Sequence, residues 1–222
     1  ELDRITAGSV WIGDADSGSI TVSAEIQPLA MDDLVLTTGG AISDSVTGAG
    51  GQALVVGGLT LRAPSGGIDA RVAANTVETL SDGDQFLQAS GTVTIGTGGL
   101  DAGSRTITLA AGTFRLGGAD RIADGSRLAM TGSAKLQLNG FDETLGGLSS
   151  PTYSTAAAIV NGATTVSTLT LDLTSSFGAQ YFYGVLGGPS ENDNNFGVVK
   201  TGNDQLVLAT ANTYDGATVI DE

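Results

Sequence analysis

Short triplets in which every second residue is hydrophobic recur along the whole chain, and most lie close to Gly, Asn or Asp. This alternation is typical of short strands with one buried face, separated by turns. One short strand cannot bury its apolar face, whereas many stacked strands can. The pattern therefore predicts a β-solenoid. Its inward-facing positions are predicted to be Val10, Ile12, Leu34, Leu36, Leu59, Leu61, Ile107, Leu109, Leu136, Leu138, Leu206 and Leu208.

The triplets recur at a spacing that fits one rung of a parallel solenoid. Val10 and Leu34 are 24 positions apart, Leu34 and Leu59 are 25 apart, and later triplets recur every 21 or 22 positions. A period of about 22 residues gives about ten rungs and a rod roughly 45–50 Å long. The best helix candidate, residues 68–80, is interrupted by β-branched residues and is followed by a predicted loop at residues 81–84. We therefore expect an all-β chain with no significant helix.

Composition agrees with a narrow aliphatic core. Hydrophobic residues make up 41% of the chain but aromatic residues only 5%, and the 34 glycines are about twice the average usage. Charged residues make up 15%, compared with roughly 25% in ordinary domains. This mixture is typical of secreted bacterial surface proteins. Because no Pro- or Ser-rich linker divides the chain, we expect residues 1–222 to form one continuous solenoid.

The balance of charged and reactive residues excludes several functions. The net charge is −15, and Lys135 and Lys200 are the only lysines. This argues against nucleic acid or an anionic membrane as a partner. No apolar run is long enough to insert into a membrane as a helix. The sequence has no Cys and no His, so disulfides, thiolate catalysis and Ser-His-Asp mechanisms are absent.

Residues 196–219 resemble the passenger-associated transport repeat of bacterial autotransporters. Residues 199–202 contain a Lys-Thr-Gly turn, residues 206–208 a Leu-x-Leu strand, and residues 212–216 an Asn-Thr-Tyr-x-Gly turn, in the order and spacing of that family. Residues 116–148 look similar to one unit of an autotransporter passenger. Residues 4–42 resemble repeats of filamentous-haemagglutinin-like adhesins and giant surface proteins. The resemblance thus divides the chain into adhesin-like repeats at 1–99 and autotransporter-passenger-like repeats at 100–222.

The resemblance implies a right-handed parallel β-helix, exposed at or beyond the surface of a bacterial cell. It implies no common active site, because these repeats serve as stalk and as a folding engine during secretion. We therefore expect a non-enzymatic extracellular module of an adhesin, stalk or surface fibre. Both ends of the sequence fall within the repeat pattern, so the expected partners are further rungs of a longer chain or end-to-end copies.

Three acidic turns are candidates for binding calcium, which favours six to eight oxygen ligands. These turns contain Asp14 and Asp16, Asp82 and Asp84, and Glu191 and Asp193. The alternative is a solvated turn in which Asp caps its own backbone. The same carboxylates could instead belong to a glycan-binding or polysaccharide-cleaving β-helix. A groove lined by two or three acids and an aromatic residue would favour that rival interpretation.

Three aromatic residues are candidate contacts for a protein partner or a host glycan. Trp11 lies between Val10 and Ile12, so alternation directs it outward. Tyr181 and Tyr183 flank Phe182, so either the pair or Phe182 should be exposed. Exposed aromatic rings can stack on sugars or anchor a partner. The alternative is an external ring that lies on the neighbouring rung.

Overall fold

A computed structural model describes residues 2–46, 53–174 and 177–221. These residues form parallel β-strands stacked as a solenoid of about nine turns, and the only helical element among them is one 3₁₀ turn at Leu2–Arg4. The predicted all-β parallel solenoid is confirmed, with about one rung fewer than expected. Residues 68–80, the best helix candidate, lie within a long strand.

The strands are short at both ends of the described chain and long in the middle. In chain order they are β1 (Thr6–Ile12), β2 (Ile20–Val22), β3 (Ala30–Thr37), β4 (Ile42–Asp44), β5 (Leu54–Ala63), β6 (Ile68–Ser81), β7 (Gln85–Asp101), β8 (Thr106–Leu116), β9 (Arg127–Met130), β10 (Lys135–Gln137), β11 (Glu143–Leu145), β12 (Gly147–Ser149), β13 (Ala158–Val160), β14 (Ser167–Asp172), β15 (Gln180–Phe182), β16 (Val185–Leu186), β17 (Phe196–Thr201), β18 (Leu206–Leu208) and β19 (Thr218–Asp221).

Among the described residues, the strands pair into three parallel sheets. The largest has 13 strands, and its main path runs β1-β3-β5-β6-β7-β8-β10-β13-β16. A second sheet runs β11-β14-β17-β19, and β15 pairs with β18. Strand β7 spans residue 99, where the two sets of predicted repeats meet. Strands of one turn therefore pair with strands of a neighbouring turn, and the central strands pair on both sides.

The core consists of columns of aliphatic side chains that stack across the rungs. In one column, Leu34 is in register with Leu59, Leu59 with Val77, and Val77 with Ile95. All four are buried. Alternation explains this, because an inward residue on one strand lies directly above an inward residue on the next. The step from Leu59 to Val77 and from Val77 to Ile95 is 18 residues, shorter than the predicted period of about 22.

The predicted inward positions are deeply buried in the middle of the rod and less so towards its ends. Eight of them are 2% exposed or less: Leu34, Leu36, Leu59, Leu61, Ile107, Leu109, Leu136 and Leu138. Val10, Ile12, Leu206 and Leu208 are partly buried and pack against the same core. The inward direction is thus confirmed, and the partial exposure follows from their place on the terminal strands.

Turns predicted from sequence lie where the chain changes direction. Asn139 and Gly140 have φ values of 57° and 84°, in the left-handed region that favours Asn and Gly. The Asn139 side-chain amide donates to the Leu116 carbonyl of the preceding rung at 3.1 Å. Asn212 accepts a hydrogen bond from the Leu186 N–H at 2.8 Å. Asn139 and Asn212 therefore link neighbouring rungs.

Candidate functional site

One groove on the outer surface combines an exposed aromatic ring with two carboxylates. We call it the Trp11 groove. It has a volume of about 270 Å³ and lies on the outward faces of β1, β3, β5 and β6. Its lining includes Ser9, Trp11, Asp33, Val35, Gly58, Thr60, Thr76 and Glu78. Its chemistry is therefore that of a shallow, acidic, hydroxyl-rich surface with one large ring.

The first row of the Trp11 groove consists of residues in register across four strands. Trp11 pairs with Val35, Val35 with Thr60, and Thr60 with Glu78. Adjacent strands lie about 4.8 Å apart, so the row is about 14 Å long. Trp11 is 74% exposed at one end, and the Glu78 carboxylate lies at the other. The strand register thus places an aromatic ring and an acid at opposite ends of one short row.

The second row of the groove runs beside the first. Ser9 pairs with Asp33, Asp33 with Gly58, and Gly58 with Thr76. The Ser9 hydroxyl donates to Asp33 Oδ2 at 3.3 Å. A Cβ atom at Gly58 would collide with Asp33 Oδ1. The absence of a side chain at Gly58 therefore allows the Asp33 carboxylate to lean across β5 and opens a notch between Asp33 and Thr76.

Glu78 leans in the same direction, onto the next strand. A Cβ atom at Gly96 would lie 2.5 Å from Glu78 Oε1, and a Cβ atom at Gly98 would lie 2.5 Å from Oε2. The Thr97 hydroxyl donates to Glu78 Oε1 at 3.3 Å. Two glycines of β7 thus make room for the Glu78 carboxylate. Asp33 lies over β5 and Glu78 over β7, so two strand spacings separate the carboxylates.

A smaller cleft continues the Trp11 groove towards β7. It has a volume of about 150 Å³ and shares Thr60 and Glu78 with the groove. It adds Arg62, Leu80 and Asp101, which are in register across β5, β6 and β7. Arg62 is exposed. The combined surface therefore offers carboxylate acceptors, hydroxyl groups and one guanidinium donor along adjacent strands.

The aromatic candidates lie in two separate places. Trp11 points outward, as predicted, and among the described residues no neighbouring rung covers it. Tyr181 is 45% exposed, whereas Phe182 beside it is fully buried. Tyr183 is half-buried, and its N–H donates to the Ser150 hydroxyl at 2.7 Å. Because β1 and β15 belong to different sheets, the tyrosines do not contribute to the Trp11 groove.

The first acidic turn is organised by its own side chains. Asp14 Oδ1 accepts a hydrogen bond from the Asp16 N–H at 3.0 Å and another from the Ser17 hydroxyl at 2.9 Å. These hydrogen bonds, from Ser17 first and Asp16 second, lower the pKa of Asp14. Asp16 is exposed. This is the self-capped turn that the sequence offered as the alternative to calcium.

In each of the other acidic turns, one carboxylate accepts a hydrogen bond from a backbone N–H. Asp84 Oδ1 accepts from the Thr106 N–H at 2.9 Å, and Asp193 Oδ2 accepts from the Ser190 N–H at 3.0 Å. Asp82 and Glu191 are exposed. Within the described ranges of the chain, no group of three or more acidic side chains could hold a metal ion. The structure thus gives these carboxylates backbone partners and brings none of the three pairs together with another.

Glu143 is a buried acid that sequence reasoning did not single out. It is 1% exposed and faces inward on β11. Its two carboxylate oxygens accept hydrogen bonds from the backbone N–H groups of Arg121 and Ile122. Burial raises the pKa of Glu143 to about 8 against the effect of these bonds, and Asp120 and Asp124 raise it further. Because Glu143 is enclosed and both of its oxygens are engaged, we assign it a structural role.

Sequence reasoning also missed most of the Trp11 groove. Asp33, Thr60 and the neighbouring Thr76 and Glu78 lie on three different strands, and together they form no local motif. Each occupies an outward position of an alternating strand, and the strand register brings them together. These residues could have been found only by aligning the outward positions of successive strands with the correct number of residues per rung.

Comparisons of the chain with family models, curated proteins and solved structures find no match. Among the described residues, no helix has the length and apolar character needed to cross a membrane. The resemblance to surface-protein repeats therefore stays an interpretation of residues 4–42, 116–148 and 196–219.

Proposed function

We propose that this chain is a non-enzymatic structural module of an extracellular or cell-surface bacterial protein, acting as a stalk or as part of an adhesin or fibre. The observation that carries the proposal is the unbroken parallel stack from β1 to β16. Its buried columns hold successive rungs together along the axis, as in other solenoids. Such a rod can hold a surface at a distance from its attachment point.

The outer edge of β19 supports a role in end-to-end assembly. Within the described residues, β19 pairs with β17 alone. Val219 and Ile220 on this strand are 47% and 64% exposed. An exposed apolar strand edge is a template for pairing with another strand. We propose that another rung of the same kind covers β19, and that copies of this chain supply it when the chain is isolated. Contacts between unlike ends do not close, so they build filaments.

Sedimentation of the purified chain across a range of concentrations tests this assembly. We expect the mass to grow with concentration and Ile220→Lys to suppress that growth, because the charge would oppose strand pairing. Val166→Lys is a matched control, since Val166 is also 64% exposed but lies outside the edge strand. A mass that is independent of concentration, or equal suppression by both variants, would contradict end-to-end stacking.

A separate assay tests the non-enzymatic part of the proposal. The purified chain is incubated with neutral and acidic polysaccharides, and new reducing or unsaturated ends are measured. We expect none, because Asp14, Asp84 and Asp193 accept hydrogen bonds from backbone N–H groups and the two groove carboxylates lie over different strands. Steady release of such ends, abolished by one Asp or Glu substitution, would overturn the proposal.

A further inference from the structure

We propose that the Trp11 groove binds an uncharged oligosaccharide, with one sugar ring stacked on Trp11 and other rings hydrogen-bonded to Asp33 and Glu78. The proposal goes beyond the structural role and does not depend on it. Its test reads a signal at Trp11, whereas the structural role is tested by assembly and by the polysaccharide assay. The two can therefore fail separately.

The indole ring provides the stacking surface. Trp11 is 74% exposed although it lies in a lined groove. A ring that merely filled space on the next rung would be covered by it. Aromatic rings combine a large apolar face with a polar edge, so they bind ligands that are themselves partly apolar and partly polar. The face of a sugar ring has this character, and the half-buried Val35 continues the apolar floor beside Trp11.

The acids and hydroxyls provide the polar contacts. Carboxylate oxygens accept hydrogen bonds and hydroxyl groups both donate and accept, so Asp33, Glu78, Ser9, Thr60 and Thr76 match the hydroxyl groups of a sugar. Hydrogen bonds to an ionised acceptor are about twice as strong as neutral ones. The row length of about 14 Å suits a short oligosaccharide rather than one ring.

Charge selects the kind of sugar. The groove itself contains two acids, and the chain carries a net charge of −15. Arg62 lies in the adjoining cleft and is in register with Leu80, which is in register with Asp101 on the next strand. The guanidinium of Arg62 therefore has an acid two strands away. Anionic glycans would be repelled by the groove and by the field of the whole chain. We therefore commit to an uncharged ligand.

The geometry favours binding over cleavage. Asp33 leans over β5 and Glu78 leans over β7, so two strand spacings, about 9.6 Å, already separate the carboxylates along the axis. They are also displaced along the strand direction, since Glu78 belongs to the Trp11 row and Asp33 to the other. Carboxyl pairs in glycosidases lie about 5–9.5 Å apart across the scissile bond. The separation here is at or beyond that limit.

The test uses the full chain and its intrinsic fluorescence, because Trp11 is the only tryptophan. The probes are cellotriose, mannotriose, xylotriose and N-acetylchitotriose, with trigalacturonate as the anionic comparison. We expect at least one uncharged trisaccharide to change the tryptophan emission in a saturable way. Asp33→Asn and Glu78→Gln should each weaken that binding about tenfold, because each removes a charged acceptor. Asp82→Asn, on an exposed turn outside the groove, should leave it unchanged.

Calorimetry tests the stacking residue itself. Trp11→Ala should weaken binding about tenfold or more, as expected for a buried anchor at an interface, and Trp11→Phe should retain part of the affinity. Tyr153→Ala is the matched control, because Tyr153 is 78% exposed but lies elsewhere. Since all these side chains are exposed or half-buried, the variants should have the same melting temperature as the parent. If Trp11→Ala does not fold, Trp11→Phe replaces it, and if Asp33→Asn does not fold, Glu78→Gln tests the carboxylate contacts.

Four results would overturn the proposal. The first is that no uncharged trisaccharide changes emission or heat up to about 10 mM, a concentration that would largely saturate even a site with a Kd of about 1 mM. The second is that trigalacturonate binds as tightly as the uncharged probes. The third is that the control variants weaken binding as much as the groove variants. The fourth is that Trp11→Ala binds the trisaccharide as tightly as the parent, because the indole ring would then not contact the ligand.

Discussion

The carboxylate of Glu143 accepts a hydrogen bond from the backbone N–H of Ile122, 3.0 Å away, inside the solenoid. Its other oxygen accepts from the Arg121 N–H at 2.9 Å. A side chain thus satisfies two backbone donors of the preceding rung that would otherwise need a strand or water. Glu143 is in register with Leu169 of β14, so an acid occupies a position that the next rung fills with leucine.

This relationship predicts an unusual pH dependence. Burial raises the pKa of Glu143 from about 4.5 in an unfolded chain to about 8. Because the folded pKa is the higher one, the contribution of Glu143 to the free energy of unfolding is fully present below about pH 4.5 and is lost as the pH rises through about 8. Glu143→Gln cannot ionise, and its amide nitrogen cannot accept one of the two hydrogen bonds. It should cost about 1–3 kcal/mol at acid pH.

The measurement is the difference in melting temperature between the parent and Glu143→Gln, from about pH 5 to about pH 9. We expect the variant to melt below the parent at the acid end and the deficit to shrink or reverse at the alkaline end. Ser133→Ala is the control, since Ser133 is exposed and has no ionisable side chain. A deficit that is constant with pH would show that Glu143 does not titrate there.

The ion pair of Asp44 and Arg71 should produce the opposite pH dependence. Arg71 Nε lies 2.7 Å from Asp44 Oδ2, and Arg71 Nη2 lies 3.0 Å from Oδ1. Burial opposes the charge on Asp44, but hydrogen bonds from Arg71 and the Val46 N–H outweigh it and lower the pKa of Asp44. Its stabilising contribution is therefore present above about pH 3.8 and is lost as the pH falls through the folded pKa.

Substitutions of the acidic partner test the contribution of this ion pair. Asp44→Asn should lower the melting temperature at neutral pH, and the deficit should narrow as the pH is lowered below about 3.8. Asp32→Asn, at an exposed position of β3, should have little effect at neutral pH. Equal effects of the two substitutions at neutral pH would show that the pair with Arg71 contributes nothing.

The fold could be predicted from sequence because alternation and rung spacing are local properties. Leu34, Leu59 and Leu136 each lie in a clear alternating triplet, and each lies in a buried column. Trp11 is outward for the same reason. The number of residues per rung was harder to predict, because register shifts between β6 and β7 change this number while the alternation of hydrophobic and polar residues continues.

The polar interior and the groove could not be predicted in this way. Glu143 occupies an inward position of an alternating triplet. Because burying a charge is costly, a single acid in a sequence is normally assigned to the protein surface. The backbone partners of Glu143 lie 21 and 22 residues earlier. The acids of the Trp11 groove depend likewise on which strands pair and in which register. Both features are set by contacts between rungs, which one sequence does not reveal.

Substitutions at Leu138 test the core. Leu138 is completely buried. Leu138→Ala should reduce the free energy of unfolding by about 2–5 kcal/mol, and Leu138→Asp should prevent stable folding because it buries a charge without a partner. Ser133→Ala, on an exposed turn of the same rung, should change little. A chain carrying Leu138→Asp that melts like the parent would show that the assigned register is wrong.

A buried polar network around Gln85 gives the last prediction. Gln85 lies in a column in which it is in register with Ile68 on one side and Ile107 on the other. It accepts from the Thr79 hydroxyl at 2.6 Å and donates to Ser81 Oγ at 3.1 Å and to the Asp101 carbonyl at 2.6 Å. The side-chain oxygen of Gln85 therefore accepts one hydrogen bond and its amide nitrogen donates two, inside a core where the residue is only 1% exposed.

Gln85→Leu matches its aliphatic neighbours but leaves the Thr79 hydroxyl and the Asp101 carbonyl without this partner. We expect it to destabilise the chain by about 1–3 kcal/mol, the cost of leaving buried polar groups unsatisfied. Thr79→Val already lacks the hydroxyl that Gln85→Leu would leave without a partner. The double variant should therefore lose less free energy of unfolding than the sum of the losses in the two single variants. Chemical denaturation of the four proteins measures this coupling. Strict additivity, or a Gln85→Leu variant more stable than the parent, would show that hydrophobic burial outweighs the network at this position.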